Sequence, residues 1–332
     1  MSVTTLVLIV IVVVALAFDY TNGFHDAANA IATSVSTKAL TPRTALIMAA
    51  VMNVVGALVS TKVAATIGSG IVTPPSGDRG LTLVFAALLG AITWNLITWY
   101  FGLPSSSSHA LIGGLIGAAL AGAHDVKWSG VFDKVVVPMV LSPLIGLLVG
   151  YVFMVVLLWL FRSAHVGRVN RGFRFAQIGS AGLMAFGHGT QDAQKTMGVI
   201  TFALVASGHL SHFHVPLWVI LASAAAISFG TYSGGYRIMR TLGRRVIQLT
   251  PAGGFSAQTV ASSIMLVSAY AYAVPVSTTH VITSSIMGVG ATRRFSAVRW
   301  GVAGNIAFAW VLTLPAAAGV AAFVYLLVQA II

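Results

Sequence analysis

Asn22-Gly23-Phe24-His25-Asp26-Ala27-Ala28-Asn29 stands near the end of an apolar run that begins at Val3. Within it Asp19, Asn22, Asp26, Asn29 and Thr33 recur at spacings of 3, 4, 3 and 4, so a helix presents all five on one face. About 20 apolar residues span a bilayer, and the segment 3–35 is too long for one simple crossing. Polar residues stand midway along it, which predicts two half-helices here. A carboxylate at the bilayer centre costs at least about 2.5–3.5 kcal/mol on insertion scales. Two on one stripe require a cation, a proton or a lysine.

The stretch recurs. Gly189-Thr190-Gln191-Asp192-Ala193-Gln194-Lys195 aligns with it, Asp on Asp, inside a second long run over 175–206 that is also expected to break. Pro104-Ser105-Ser106-Ser107-Ser108-His109 aligns with Pro275-Val276-Ser277-Thr278-Thr279-His280, and Pro143 with Pro315. Three matches in one order at a near-constant offset imply duplication of half the chain. Apolar runs near 3–35, 43–69, 81–102, 105–123, 135–161, 175–206, 215–236, 253–274, 276–291 and 299–331 give five segments per half. An odd number makes the second half enter from the opposite face. The expected architecture is an all-α polytopic membrane protein of two inverted repeats, 1–161 and 175–332, with an Arg-rich linker at 162–174. With two segments broken, about twelve helical pieces follow.

Composition agrees. Of 332 residues, 58% are hydrophobic and 7% charged, against about 25% charged in a soluble domain; the mean hydropathy is +0.94. A soluble enzyme is excluded. The absence of Cys removes disulfides and thiolate chemistry. The first run has no basic lead-in or small-residue cleavage site and is read as a retained helix. The net charge of +12 needs no nucleic-acid partner, because it is distributed by topology. With the N-terminus outside, the alternate loops hold Lys38, Arg43, Arg162, Arg168, Arg171, Arg174, Arg237, Arg240, Arg244, Arg245, Arg293, Arg294 and Arg299 and no acid. By the positive-inside rule these loops are cytoplasmic and both termini lie outside.

The second stripe, His188, Gln191, Asp192 and Lys195, places a lysine one turn from the duplicated acid. It reads as a buried ion pair or as an anion ligand. The Pro-hydroxyl-hydroxyl-His motifs open helices, with Ser or Thr capping free N–H groups. Such helix starts attract anions, and two tight hairpins at equivalent positions can be re-entrant, with tips near the midplane. Carboxylates, amides, one lysine and two hydroxyl-lined helix starts describe a site for a tetrahedral oxyanion, phosphate or sulfate, beside a cation. A passive anion channel or an intramembrane enzyme are the rival classes. His109 and His280 are candidate proton relays or packing groups. His209, His212 and His214 crowd one loop without carboxylate or Cys companions, and no resident metal or cofactor is expected. Lys62, Asn53, Trp94 and Asn95 read as packing or interfacial residues.

Residues 22–29 and Gly187-His188-Gly189-Thr190-Gln191-Asp192-Ala193-Gln194-Lys195-Thr196-Met197-Gly198 resemble the paired signatures of the inorganic phosphate transporter (PiT) family, in its compact bacterial form. Gln191 departs from the Asn usual at that place. The resemblance implies a homodimeric symporter in the bacterial cytoplasmic membrane, moving phosphate with Na+ or H+, or as a metal–phosphate complex. It maps Asn29, Gln191, Lys195, Ser106, Ser107, Ser108, Ser277, Thr278 and Thr279 to phosphate binding. Asp19, Asn22, Asp26 and Asp192 are read as the cation or proton coupling groups.

Overall fold

The computed structural model describes residues 3–73, 75 and 77–331. Among them are twelve helices and no strand element. In chain order these are α1 (Val3–Ser36), α2 (Pro42–Val59), α3 (Lys62–Ser69), α4 (Asp78–Phe101), α5 (Ser107–Ala121) and α6 (Trp128–Leu160). The second half gives α7 (Val166–Ala206), α8 (Leu217–Ser233), α9 (Tyr236–Arg245), α10 (Pro251–Val267), α11 (Thr278–Ala291) and α12 (Trp300–Ile331). Five helices are long and apolar enough to cross a membrane, and the bent pair α8–α9 makes a sixth.

The expected breaks in 3–35 and 175–206 are absent. α1 runs unbroken for 34 residues and α7 for 41, about 51 and 62 Å at 1.5 Å per residue. The mid-helix polar groups are side chains, which project from the helix and leave its backbone hydrogen bonds intact. The breaks fall one segment later in each half. Ser60 and Thr61 separate α2 from α3. Gly234, at φ 81°, and Gly235 separate α8 from α9, whose axes differ by 57°. Residues 166–174 of the Arg-rich stretch are helical and open α7.

Packing is reciprocal between the halves. α1 lies against α8 and α2 against α7, while α5 lies against α12 and α11 against α6. The signature glycines explain the first pair. A Cβ on Gly23 would strike the backbone of Ile227 and Gly230, and one on Gly189 the backbone of Asn53. Gly230 and Gly56 meet α1 and α7 equally closely from the other side. In lipid, where apolar burial drives no helix association, such backbone approach supplies the van der Waals contact that holds helices together.

Two apolar cores result. One gathers Ile11, Ala15 and Phe18 of α1 with Met197 and Ile200 of α7. The other gathers Ala27 to Ala32 of α1 with Met184 and Ala185 of α7. Between them both long helices bury their polar stretches.

Candidate functional site

The two hairpin tips are built by caps. Ser106 Oγ accepts from the His109 N–H and Ser277 Oγ from the His280 N–H, each at 3.2 Å. Both caps hold extended backbone, so α5 and α11 start abruptly. With 15 and 14 residues these helices are about 22 Å long, short of the roughly 30 Å hydrocarbon core. Neither is long enough to cross it alone. The tips meet: the His109 and His280 rings are 4.9 Å apart edge to face, and His280 stacks on Trp310 at 4.0 Å.

Asp26 ties both tips to α1. Its Oδ2 accepts from Ser107 Oγ at 2.9 Å and its Oδ1 from Thr279 Oγ1 at 3.3 Å, with His25 Nδ1 2.8 Å from the same Oδ1. One turn on, Asn29 Nδ2 donates to Thr279 and Thr278 hydroxyls at 2.8 and 3.2 Å. From α7, Lys195 Nζ donates to Ser107 Oγ at 2.9 Å and pairs with Asp192 Oδ2 at 2.9 Å. His188 Nε2 lies 3.2 Å from that oxygen. Lys195 is only 1% exposed and both carboxylates are fully buried. Buried charge of this kind is retained only where it is paired.

Ligand atoms of Asp26, His188 and Asp192 all lie within 4.8 Å of one another. Two hard carboxylate oxygens and one imidazole nitrogen at that separation can hold a cation. Two buried carboxyl groups thus share a single lysine.

A second polar group lies beside this cluster. Asp19 and Asn22 are fully buried, and the carboxylate of Asp19 faces the side chains of Thr196 and Asn22. Ser108 Oγ and Thr33 Oγ1 are buried and unpartnered.

The residues named from sequence divide by their contacts. Asp26, Asn29, Ser107, Thr278, Thr279, Asp192 and Lys195 form one bonded network. Ser106 and Ser277 spend their hydroxyls on caps. Gln191 turns its amide toward α10, donating to the Met265 carbonyl at 3.1 Å, and its Oε1 has no partner. Several residues given no role at the site from sequence support it. Asn53 orients His188 (Oδ1 to Nδ1 3.2 Å) and donates to Thr231 at 2.8 Å. Thr98 and Ser105 reach His25 Nε2 at 3.1 and 3.4 Å. A lone Asn in the middle of apolar α2 was the available signal. The loop histidines do not converge: His209 pairs with Ser207 and His212 with Ser211, and only His212 and His214 adjoin.

Comparison with known proteins supplies the family. The model described as "Phosphate transporter family" matches residues 22–321. The chain is 46% identical to a probable low-affinity inorganic phosphate transporter of Bacillus subtilis, over 100% of both proteins. It is 49% identical to one from Rhizobium meliloti, over 96% of this chain and 95% of the relative. A solved structure titled "The sodium-dependent phosphate transporter" superposes with TM-score 0.90 at 24% identity, over 98% of this chain and 100% of that one. That likeness establishes the same all-helical fold. These relatives are transporters and not enzymes, and the long apolar helices make this a multi-pass membrane protein. The chain belongs to the phosphate transporter family.

Proposed function

We propose that the protein imports inorganic phosphate across the bacterial cytoplasmic membrane by symport with a cation, Na+ or H+, or as a metal–phosphate complex. The observation that carries this reading is the convergence of both hairpin tips on Asp26, beside Asp192 and Lys195. Phosphate enters between the tips, replacing the Ser107 and Thr279 contacts to Asp26 with contacts to its own oxygens. Lys195 and the hydroxyls of Ser108 and Thr278 turn to it, and Asn29 supplies amide donors. The displaced Asp26 and Asp192 then face an anion and need a cation between them, which is the physical basis of coupling. Asp19, fully buried beside Thr196 and Asn22, carries a proton or a second cation.

Under the same reading the two halves, 1–161 and 175–332, are inverted repeats joined by 162–174 and rock against each other to alternate access. The Arg-rich end is cytoplasmic, both termini are outside, and the protein works as a homodimer. The sodium named for the solved relative is the first ion to try.

Uptake of labelled phosphate into proteoliposomes tests the cargo. A 100-fold excess of sulfate should leave uptake unchanged within about twofold. Equal competition by sulfate would replace phosphate with a general oxyanion as the cargo.

A further inference from the structure

The last acid of the chain is Asp192, and it is buried in the central network; no acidic side chain follows it, and none lies between residues 134 and 191. The eleven arginines from Arg162 to Arg299 thus have no carboxylate of their own half to pair with except that one. Two are accommodated by aromatic faces, Arg162 on Trp159 and Arg237 on Trp99 and Tyr100. Arg293, Arg294 and Arg299 have no ion pair and no ring partner among the described residues. All three line a single cavity of about 370 Å³.

The cavity is a built concavity. It sits between the two arms of the second hairpin, at the end opposite its tip: Thr250 and Gly253 open α10, and Val289 and Gly290 close α11. The arginines follow directly in the connection to α12. Its floor is apolar, from Met154, Ile247 and Leu249, and Gln248 and Ser296 add neutral polar groups to the rim. The Arg299 N–H donates to the Val246 carbonyl at 3.0 Å, fixing that rim to the α9–α10 connection. Beside it Phe295 stacks on Trp300 at 4.4 Å, with Phe295 69% exposed. An exposed aromatic pair next to arginines is the pattern of a membrane–water boundary.

Three arginines line one concavity that contains no negative side chain to neutralise them. Guanidinium forks match phosphate oxygens in geometry and charge, and basic pockets between membrane-spanning helices take phospholipid headgroups. We propose that this cavity binds a phosphoryl group, carried by an anionic lipid headgroup or by free phosphate. It is separate from the central site and bridges the bases of α10 and α11. An occupant there pins the root of the hairpin whose tip touches Asp26.

Phenylglyoxal labelling of arginines, read residue by residue by mass spectrometry, tests this on the full protein in nanodiscs. Three conditions are compared: phosphatidylcholine alone, phosphatidylcholine with phosphatidylglycerol, and phosphatidylcholine with added inorganic phosphate. Arg171 and Arg174, exposed at the same end where Phe173 packs on Phe255, report non-specific attraction. Labelling of Arg293, Arg294 and Arg299 should slow about tenfold or more, while the two reference arginines change less than about twofold. Protection by phosphatidylglycerol alone identifies a lipid, and protection by phosphate alone identifies the free anion. Ser296→Glu, which supplies an internal counter-charge, should remove the protection without deleting an arginine. Equal protection of pocket and reference arginines in both arms would overturn the proposal.

Discussion

The carboxylate oxygens of Asp26 and Asp192, from opposite halves of the sequence, lie within 4.8 Å of each other in a site sealed from solvent. Like charges that close repel strongly in a low dielectric. What holds them is a divided set of partners: Ser107, Thr279 and His25 on Asp26, and Lys195 with His188 on Asp192. Ser107 joins the two sets, donating to one acid and accepting from the lysine that neutralises the other.

Lys195→Met removes the cation from a buried carboxylate. Breaking one partner of a buried pair costs about 3–5 kcal/mol, so the melting temperature in detergent should fall sharply. Lys195→Met combined with Asp192→Asn should recover most of that stability, because no lone charge remains, yet leave uptake lost. Thermal unfolding of the four proteins of this cycle checks it; additive losses would mean that the two residues do not act as a pair.

Hydroxyls used for caps and hydroxyls used for ligands should separate by assay. Ser106→Ala removes the side-chain acceptor of the His109 N–H and should cost about 1 kcal/mol of stability with a modest effect on KM. Ser107→Ala cuts the link between Asp26 and Lys195 and should raise the phosphate KM about tenfold or more, with stability less affected. Parallel uptake kinetics and thermal melts decide the matter, and identical profiles for both variants would contradict the assignment.

Gly23→Val places side-chain atoms against the Ile227 backbone, which cannot withdraw as a flexible side chain would. Overpacking of this kind costs about 1–3 kcal/mol and more when backbone is struck. Gly319→Ala on α12 meets no atom within 4 Å and should stay within about 0.5 kcal/mol of the parent. Fluorescence-detected size exclusion after heating ranks the two, and similar melting would contradict the tight α1–α8 crossing.

The fold class, the buried stripe and the capped hairpins were legible because each rests on local periodicity or on a residue type with one strong use. Asp19, Asn22, Asp26, Asn29 and Thr33 are all buried, as their spacing requires. The helix breaks were misplaced because polar residues inside α1 and α7 look like interruptions until their partners are known. Gly234-Gly235 stands at the end of the segment read as 215–236, and the helix that follows it, Tyr236–Arg245, was read as an Arg-rich loop, whereas Ser60-Thr61 carries no such mark. The total of twelve pieces was reached with the wrong helices divided. The π-helical turns at Phe132–Val136, Thr241–Arg245 and Ser268–Tyr272 have no sequence signature. Asn53 acts across 135 positions on His188, and no local pattern reports a contact of that range.

The central claim is that the paired acids exist to hold a cation that travels with phosphate. Initial phosphate uptake into proteoliposomes under an inward Na+ gradient, an inward proton gradient or neither, for the parent and Asp26→Asn, addresses it most directly. The account predicts that one gradient raises parental uptake about tenfold or more and that Asp26→Asn loses the stimulation. Uptake indifferent to both gradients, or full stimulated uptake by Asp26→Asn, would contradict it.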